Sequence, residues 1–365
     1  LQFAKVISNI NPSSFSLGRS TTTSDITLAS ALTVAGPINV TGGALTISAN
    51  QTTTSGSAGD ITINGSGAYG GTGNLNAGGN VSVTVASSST TGAFTSAGAG
   101  GITFTATGSD INVGGDFTAN TSATAPILLK AKASVYLLSN ADILTAGGPV
   151  TFWARASSAN SSNDEGRISL QNTTTITTNG GAIILAGSNS VDANGVPIGY
   201  ALANTASRGG VQLGLSAGAT GTTANLNSGG GAIQLRGKTI LAGTWGVAIY
   251  PGVSINSGTG RILIDGWATG TKDGVAIDST TTVKTTITSA AVSNATTPAI
   301  SITGDCDSTS TADTEQRGIW TGTGGLTISA TGGGDILMTA TNSAAHTTNP
   351  GALYIQSADI IASTG

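Results

Sequence analysis

The sequence predicts an all-β protein, a right-handed parallel β-helix (β-solenoid) drawn out as one elongated rod, and three observations predict it. A Gly-Gly pair followed by alternating apolar residues recurs along the 365 residues: GGALTIS at 42–48, GGNVSV at 78–83, GGDFT at 114–118, GGPVTF at 147–152, GGAIIL at 180–185, GGAIQL at 230–235 and GGLTIS at 324–329. Apolar residues alternate with Thr, Ser or Asn in short runs such as Ile26-Thr27-Leu28, Ile61-Thr62-Ile63 and Val81-Ser82-Val83. Charged residues supply only 8% of the chain, against about a quarter in an ordinary soluble domain.

The repeat decides the class. The leading glycines at 42, 78, 114, 147 and 180 stand 36, 36, 33 and 33 residues apart, and a fixed period in this range marks a repeat architecture. NLNAGG at 74–79 returns as NLNSGG at 225–230. A coil of three short strands with its turns takes roughly 20–25 residues, so the spacing reads as one coil and a half, or one coil plus a loop. With coils about 4.8 Å apart, roughly 15 of them make a rod about 70 Å long. Right-handed winding is the sense expected of parallel crossovers.

The runs are strands because their period is two and β-branched residues dominate them. Their ends carry Gly, Asn or Asp, residues that tolerate the positive φ of tight corners. No run has helical periodicity, and the usual surface helix formers Glu and Lys are scarce. Sandwiches and up-and-down barrels need longer strands with charged solvent faces. Residues 1–18 are the least repetitive stretch, contain Phe3 and Phe15, and are expected to form an N-terminal cap or joining strand. Residues 19–365 are expected to be continuous solenoid. The chain leaves the pattern at 51–58, 86–99, 155–166, 188–209, 304–318 and 341–350. Per-repeat insertions stack on one face of a solenoid, so that face is the expected recognition surface.

Composition removes several classes. Hydrophobic residues at 38% are enough for a core, which argues against disorder. The net charge is −4 and the 13 Lys and Arg residues are scattered singly, which excludes nucleic acid as a partner. No apolar run approaches the ~20 residues of a membrane-spanning helix. The single cysteine, Cys306, excludes an internal disulfide framework. With no initiating Met and no signal peptide, the chain reads as a processed product or a segment of something longer.

Catalytic constellations are equally sparse. Glycoside hydrolysis needs two carboxyl groups facing one sugar bond, and the 17 acidic residues are dispersed. The lone histidine, His346, sits in a polar loop, so neither a Ser/His/Asp triad nor a Cys306/His pair assembles. The acidic stretch 305–315 alternates Asp305, Asp307, Thr309 and Thr311. An EF-hand would need Gly and Glu where Ser310 and Gln316 stand. No catalytic, cofactor or metal site is expected. Trp153, Trp245, Trp267 and Trp320 suit either sugar-stacking platforms or large side chains that plug the core or shield a coil edge. The Thr runs at 52–54, 173–175 and 280–282 look irregular, which argues against a Thr ladder matched to ice.

The runs GSAGDITINGSG at 56–67, GAGGITFTATGSDINVGGDFTA at 98–119 and TTNGGAIILAG at 177–187 resemble the stalk regions of filamentous-haemagglutinin-type bacterial adhesins. The resemblance covers most of the chain outside 1–18 and 304–318. It implies a right-handed β-helix, an extracellular or bacterial cell-surface location, and a role in attachment or as a rigid stalk. The expected function is a non-enzymatic structural and adhesive segment of a large secreted or cell-surface protein. Its expected partners are host, matrix or cell-surface glycans or proteins. The alternative is a subunit of a homopolymeric extracellular filament, since uncapped solenoid ends invite head-to-tail self-association. A third reading is a β-helical polysaccharide-binding or polysaccharide-cleaving protein.

Overall fold

The computed structural model describes residues 12–159, 165–203, 209–215, 224–270, 272–293, 296–307, 316–343 and 351–362. Three parallel sheets run the length of the molecule, and successive strands visit the first, second and third sheet in turn. Phe15–Leu17, Ile26–Leu28 and Leu32–Val34 make the first coil; Ile336–Asn342, Leu353–Tyr354 and Ala358–Ala362 make the last. The fold is a parallel β-helix. The second and third sheets each hold 12 strands, one per coil, so the described rod is about 50 Å long at 4.8 Å per coil, shorter than the roughly 15 coils expected.

The shortfall has a definite origin. Early coils are lean: Val81 pairs with Ile102, a step of 21 residues, and Ile127 with Val150, a step of 23. Later ones are not: Ile183 pairs with Ile233, a step of 50, and Ile262 with Ile300, a step of 38. Between 183 and 233 most of the surplus goes into the first-to-second corner, whereas between 262 and 300 the longest connection is the third-to-first one, 290–299. Segments 155–166, 188–209, 304–318 and 341–350 all lie between a first-sheet strand and the next second-sheet strand. Of these, 160–164, 204–208, 308–315 and 344–350 fall outside the described residues, as do 1–11 of the expected cap. Phe15–Leu17 itself is an ordinary first-coil strand. Segments 51–58 and 86–99 are corrected: they hold the regular strands Gln51–Thr53, Ser87–Thr90 and Phe94–Ser96.

The Gly-Gly spacing is also not a coil. The pair at 42 precedes the second-sheet strand Leu45–Ile47, that at 78 the first-sheet strand Val81–Val85, and that at 114 the third-sheet strand Phe117–Ala119. The pair marks corners of any kind, so 36 residues span less than two coils. At the third-to-first corner its chemistry is plain. The first glycine takes positive φ, 139° at Gly147, 118° at Gly180 and 142° at Gly230. The second has no room: a β-carbon on Gly181 would stand 2.1 Å from Gly148 O, and one on Gly231 2.0 Å from Gly181 O. Beside them runs a buried hydroxyl ladder. Thr145 Oγ1 donates to Gly148 O at 2.5 Å and lies 3.2 Å from Thr178 O of the next coil. Ser257 Oγ donates to Gly260 O at 2.6 Å in the same way.

Inside, one residue in two of each strand joins a single apolar column. Coils spanning 61–119 are filled by rings: Phe94 stacks on Phe117 at 4.3 Å, and Tyr69 meets Phe94 and Phe104 edge-on at 6.0 and 5.7 Å. Outside, the corner acids bind coils to one another. Asp25, Asp60, Asp110 and Asp116 each precede a strand and Asp142 opens one, and each Oδ1 accepts the backbone N–H of Ala44, Asn80, Ser134, Asp142 or Thr175 in the following coil, at 2.7–2.9 Å. Asn50, Asn74 and Asn80 do the same for Asn74, Ala93 and Gly100. This is the physical content of the D-I-x-I idiom. Asp110→Ala should therefore cost about 1 kcal/mol while Asp110→Asn stays near wild type; equal loss in both, by denaturant titration, would show that the acceptor oxygen is not what matters.

Register also reorganises the threonines. In the third sheet, TIT at 175–177, NLN at 225–227, SIN at 254–256, TIT at 286–288 and TIS at 327–329 lie side by side on five successive coils. Their central residues are buried and their flanking residues, apart from the buried Ser329, are half-buried or exposed, so two straight columns of Thr, Asn and Ser line this face. The irregularity read from the sequence disappears in three dimensions.

Candidate functional site

At the first-to-second corner of the C-terminal half, charge, aromatic rings and inserted chain coincide among the described residues. First-sheet strands lengthen there, from five residues in Val150–Ala154 to nine in Ile183–Val191 and seven in Ile233–Thr239, Ile262–Ala268 and Ile300–Cys306. Beyond the fifth position the chain leaves the coil and then returns against itself. Glycine permits this: a β-carbon on Gly266 would stand 2.1 Å from Gly274 O, and one on Gly304 2.1 Å from Gly318 O. Ala201–Ala203 pairs in parallel with Gly237–Thr239, and Pro197–Gly199 runs antiparallel to Ile183–Val191. The outcome is a ledge built of sheet.

Strand alternation gives the ledge two sides. Thr239, Ala268 and Cys306 face its buried side; Lys238, Trp267 and Asp305 occupy one column on its outer side. Lys238 Nζ sits 3.5 Å from the centre of the Trp267 ring, whose Nε1 donates to Asp307 Oδ2 at 2.9 Å. Tyr200 meets Trp267 edge-on at 6.1 Å and donates to Asp265 Oδ2 at 3.1 Å; Arg236 lies 3.4 Å from the same oxygen. Ser343 Oγ donates to Asp307 Oδ1 at 2.6 Å, and Thr341 Oγ1 to Asp305 Oδ1. Burial pushes the Asp265 carboxyl up against the opposing pull of Arg236, and burial followed by Arg155 pushes Lys238 down. Burial, then Asp265, pushes the Tyr200 phenol up.

Several sequence expectations can now be placed. The carboxylates of Asp305 and Asp307 are bonded to Thr341, Trp267 and Ser343, while Cys306 between them is buried and donates to Lys272 O at 3.5 Å. The remainder of the 305–315 stretch and His346 lie outside the described residues. Among the described residues no group of three or more His, Cys, Asp or Glu could hold a metal ion, and no helix is long and apolar enough to cross a membrane. Trp153 and Trp267 face outward rather than plugging the core. A lysine ammonium covers a face of each, Lys130 lying 4.3 Å from the Trp153 ring centre. These rings shield coil edges; the rings inside the core are Phe94, Phe104, Phe117, Phe152 and Tyr69.

The buried side of the ledge holds a feature that sequence reasoning missed. Asp273 is 2% exposed, 3.9 Å from Arg317 Nη1, and accepts the Arg317 backbone N–H at 3.0 Å. Burial raises its carboxyl to about 7, although Arg317 pulls it the other way. Asp265 and Asp278 are raised by burial in the same sense. Folded Asp273 thus keeps its proton to about pH 7, whereas the unfolded chain gives it up near the ordinary value of 3.8. The associated stability is complete below pH 3.8 and is lost as pH rises toward 7. Tm should fall across this interval, and Asp273→Asn should flatten the slope. A Tm that holds or rises over the same range would contradict the assignment.

No family model, curated protein or solved structure matches this chain.

Proposed function

We propose that this chain is a non-enzymatic structural and adhesive segment of an extracellular or bacterial cell-surface protein, a rigid rod that carries its corner ledge as a contact surface for glycans or proteins. One observation carries the reading: the longest insertions leave the coil at one corner and sheet forms there, with Arg236, Lys238, Asp265, Asp305 and Asp307 gathered on its outer side. Binding residues concentrate on connecting segments held by a rigid scaffold. Asp25, Asp60, Asp110, Asp116 and Asp142 are engaged as corner ties. Since lysines cover a face of Trp153 and of Trp267, the partner is read through charge and hydrogen bonds more than through ring stacking.

The test is a screen of the recombinant chain against glycan and matrix-protein arrays, repeated with Lys238→Ala/Asp307→Ala. Any ligand held by the ledge should bind several-fold more weakly to the variant; unchanged binding removes the ledge as the contact surface. Deleting 188–209 would be a poor test, because Ala201–Ala203 supports Gly237–Thr239. The filament reading keeps one observation in its favour. The last described coil exposes Leu353, Tyr354, Ile360 and Ile361, an apolar edge that a further coil, of this or a second copy, would cover. Electron microscopy that finds only short single rods would reject the filament.

A further inference from the structure

We propose that the outer face of the third sheet, from Thr174–Thr177 to Leu326–Ala330, binds the surface of crystalline ice. The inference rests on the two outward columns across five coils and is independent of the ledge, which lies at the corner opposite this sheet. None of the ten positions is charged or aromatic; the columns reach a carboxylate only at Asp142 in the coil before and Asp359 in the coil after. The face is therefore neutral, and its occupant must be neutral as well.

Part of its hydrogen-bonding capacity is turned outward, although Thr286 Oγ1 donates to Ser254 Oγ at 3.2 Å and Asn256 Oδ1 accepts the Gly258 N–H at 2.9 Å within the face. Among the described residues, the hydroxyls of Thr175, Thr177, Thr288 and Thr327 make no bond within the protein. Water is their partner, and ordered water at such positions is nearly as good as a direct bond. Five of the ten positions are Thr and add a methyl group, on the first and the last two of the five coils, while Asn and Ser fill the two coils between; all stand at one fixed repeat. That repeat is about 4.8 Å between coils and about 7 Å between columns, over about 20 Å of rod. Both spacings are of the order of the oxygen spacings in hexagonal ice.

Rigidity makes the repeat useful. Immediately behind the face, Ser228 Oγ lies 3.1 Å from Ser257 O and Ser257 Oγ 3.5 Å from Thr288 O, so buried hydroxyls hold successive coils in register. A lattice already ordered in two dimensions loses no conformational freedom on meeting this array. A flexible glycan or peptide would lose its own, without an aromatic ring or a charge to offset the loss.

The test is thermal hysteresis of the purified chain, together with its uptake into slowly growing polycrystalline ice. The wild type should arrest growth and enter the ice. Thr286→Tyr, on a half-buried, outward-facing strand position that accepts aromatic residues, should abolish both effects. Thr286→Val, which removes only the hydroxyl, guards against a folding artefact and should weaken them. Thr41→Tyr, on the first sheet, should leave both intact, with circular dichroism checking the fold of every variant. A folded wild type without hysteresis overturns the proposal. So does full activity in Thr286→Tyr, loss in Thr41→Tyr, or capture by crystalline chitin or cellulose with no effect on ice.

Discussion

Phe117→Ala should destabilise the protein by about 3–5 kcal/mol, the range for an aromatic truncated in a close-packed core. Phe117 is fully buried, stacks on Phe94 at 4.3 Å and 9°, and lies 6.3 Å from Phe104. A narrow tube cannot collapse to fill the void, because its three walls are held apart by their own backbone ladders. The damage should also stay local, since each coil touches only its neighbours. Hydrogen exchange is the measurement: amides of 81–145 should lose protection while those beyond 233 keep theirs. Uniform loss along the chain would show that the rod unfolds as one unit.

Gly181→Ala should cost about 3 kcal/mol, as overpacking of a rigid site does, against about 1–2 kcal/mol for its neighbour in Gly180→Ala. The two glycines answer different constraints. Gly180 has φ 118° and nothing within 4 Å of a β-carbon, so alanine there suffers only backbone strain. At Gly181 the added carbon would meet Gly148 O at 2.1 Å and Gly148 C at 2.5 Å. Backbone cannot yield as a side chain would, so the coils must part. Equal costs in chemical denaturation would mean that the corner relaxes more easily than its packing implies.

The strands and the fold class could be read from sequence because a half-buried strand writes its period locally, as in Ile61-Thr62-Ile63. The coil could not, because Gly-Gly serves corners before all three sheets and its spacing mixes them. The ledge hid for a related reason. Its sequence mark is the return GVAI at 246–249 and 274–277, a second repeat with a step of 28, overshadowed by the Gly-Gly series. What makes Gly266 and Gly304 obligatory is a contact with Gly274 and Gly318, invisible until the turn is drawn. The threonine columns depend on cross-coil register: Thr175 and Thr286 stand three coils apart, joined through Asn225 and Ser254, with corners of unequal length between them. Asp273 was one acid among 17 until folding enclosed it.

The inter-coil hydrogen bonds lie along the axis of the rod, so tension applied at its two ends loads one coil at a time. Under stretching the molecule should pay out slack in discrete steps. A lean coil such as 127–149 would release about 80 Å of contour and the heavy coil 183–232 about 170 Å, at 3.4 Å per extended residue. Force spectroscopy would record these as unequal teeth in a sawtooth trace. A tether made this way lengthens before it snaps, and its longest increments come from the coils that carry the ledge.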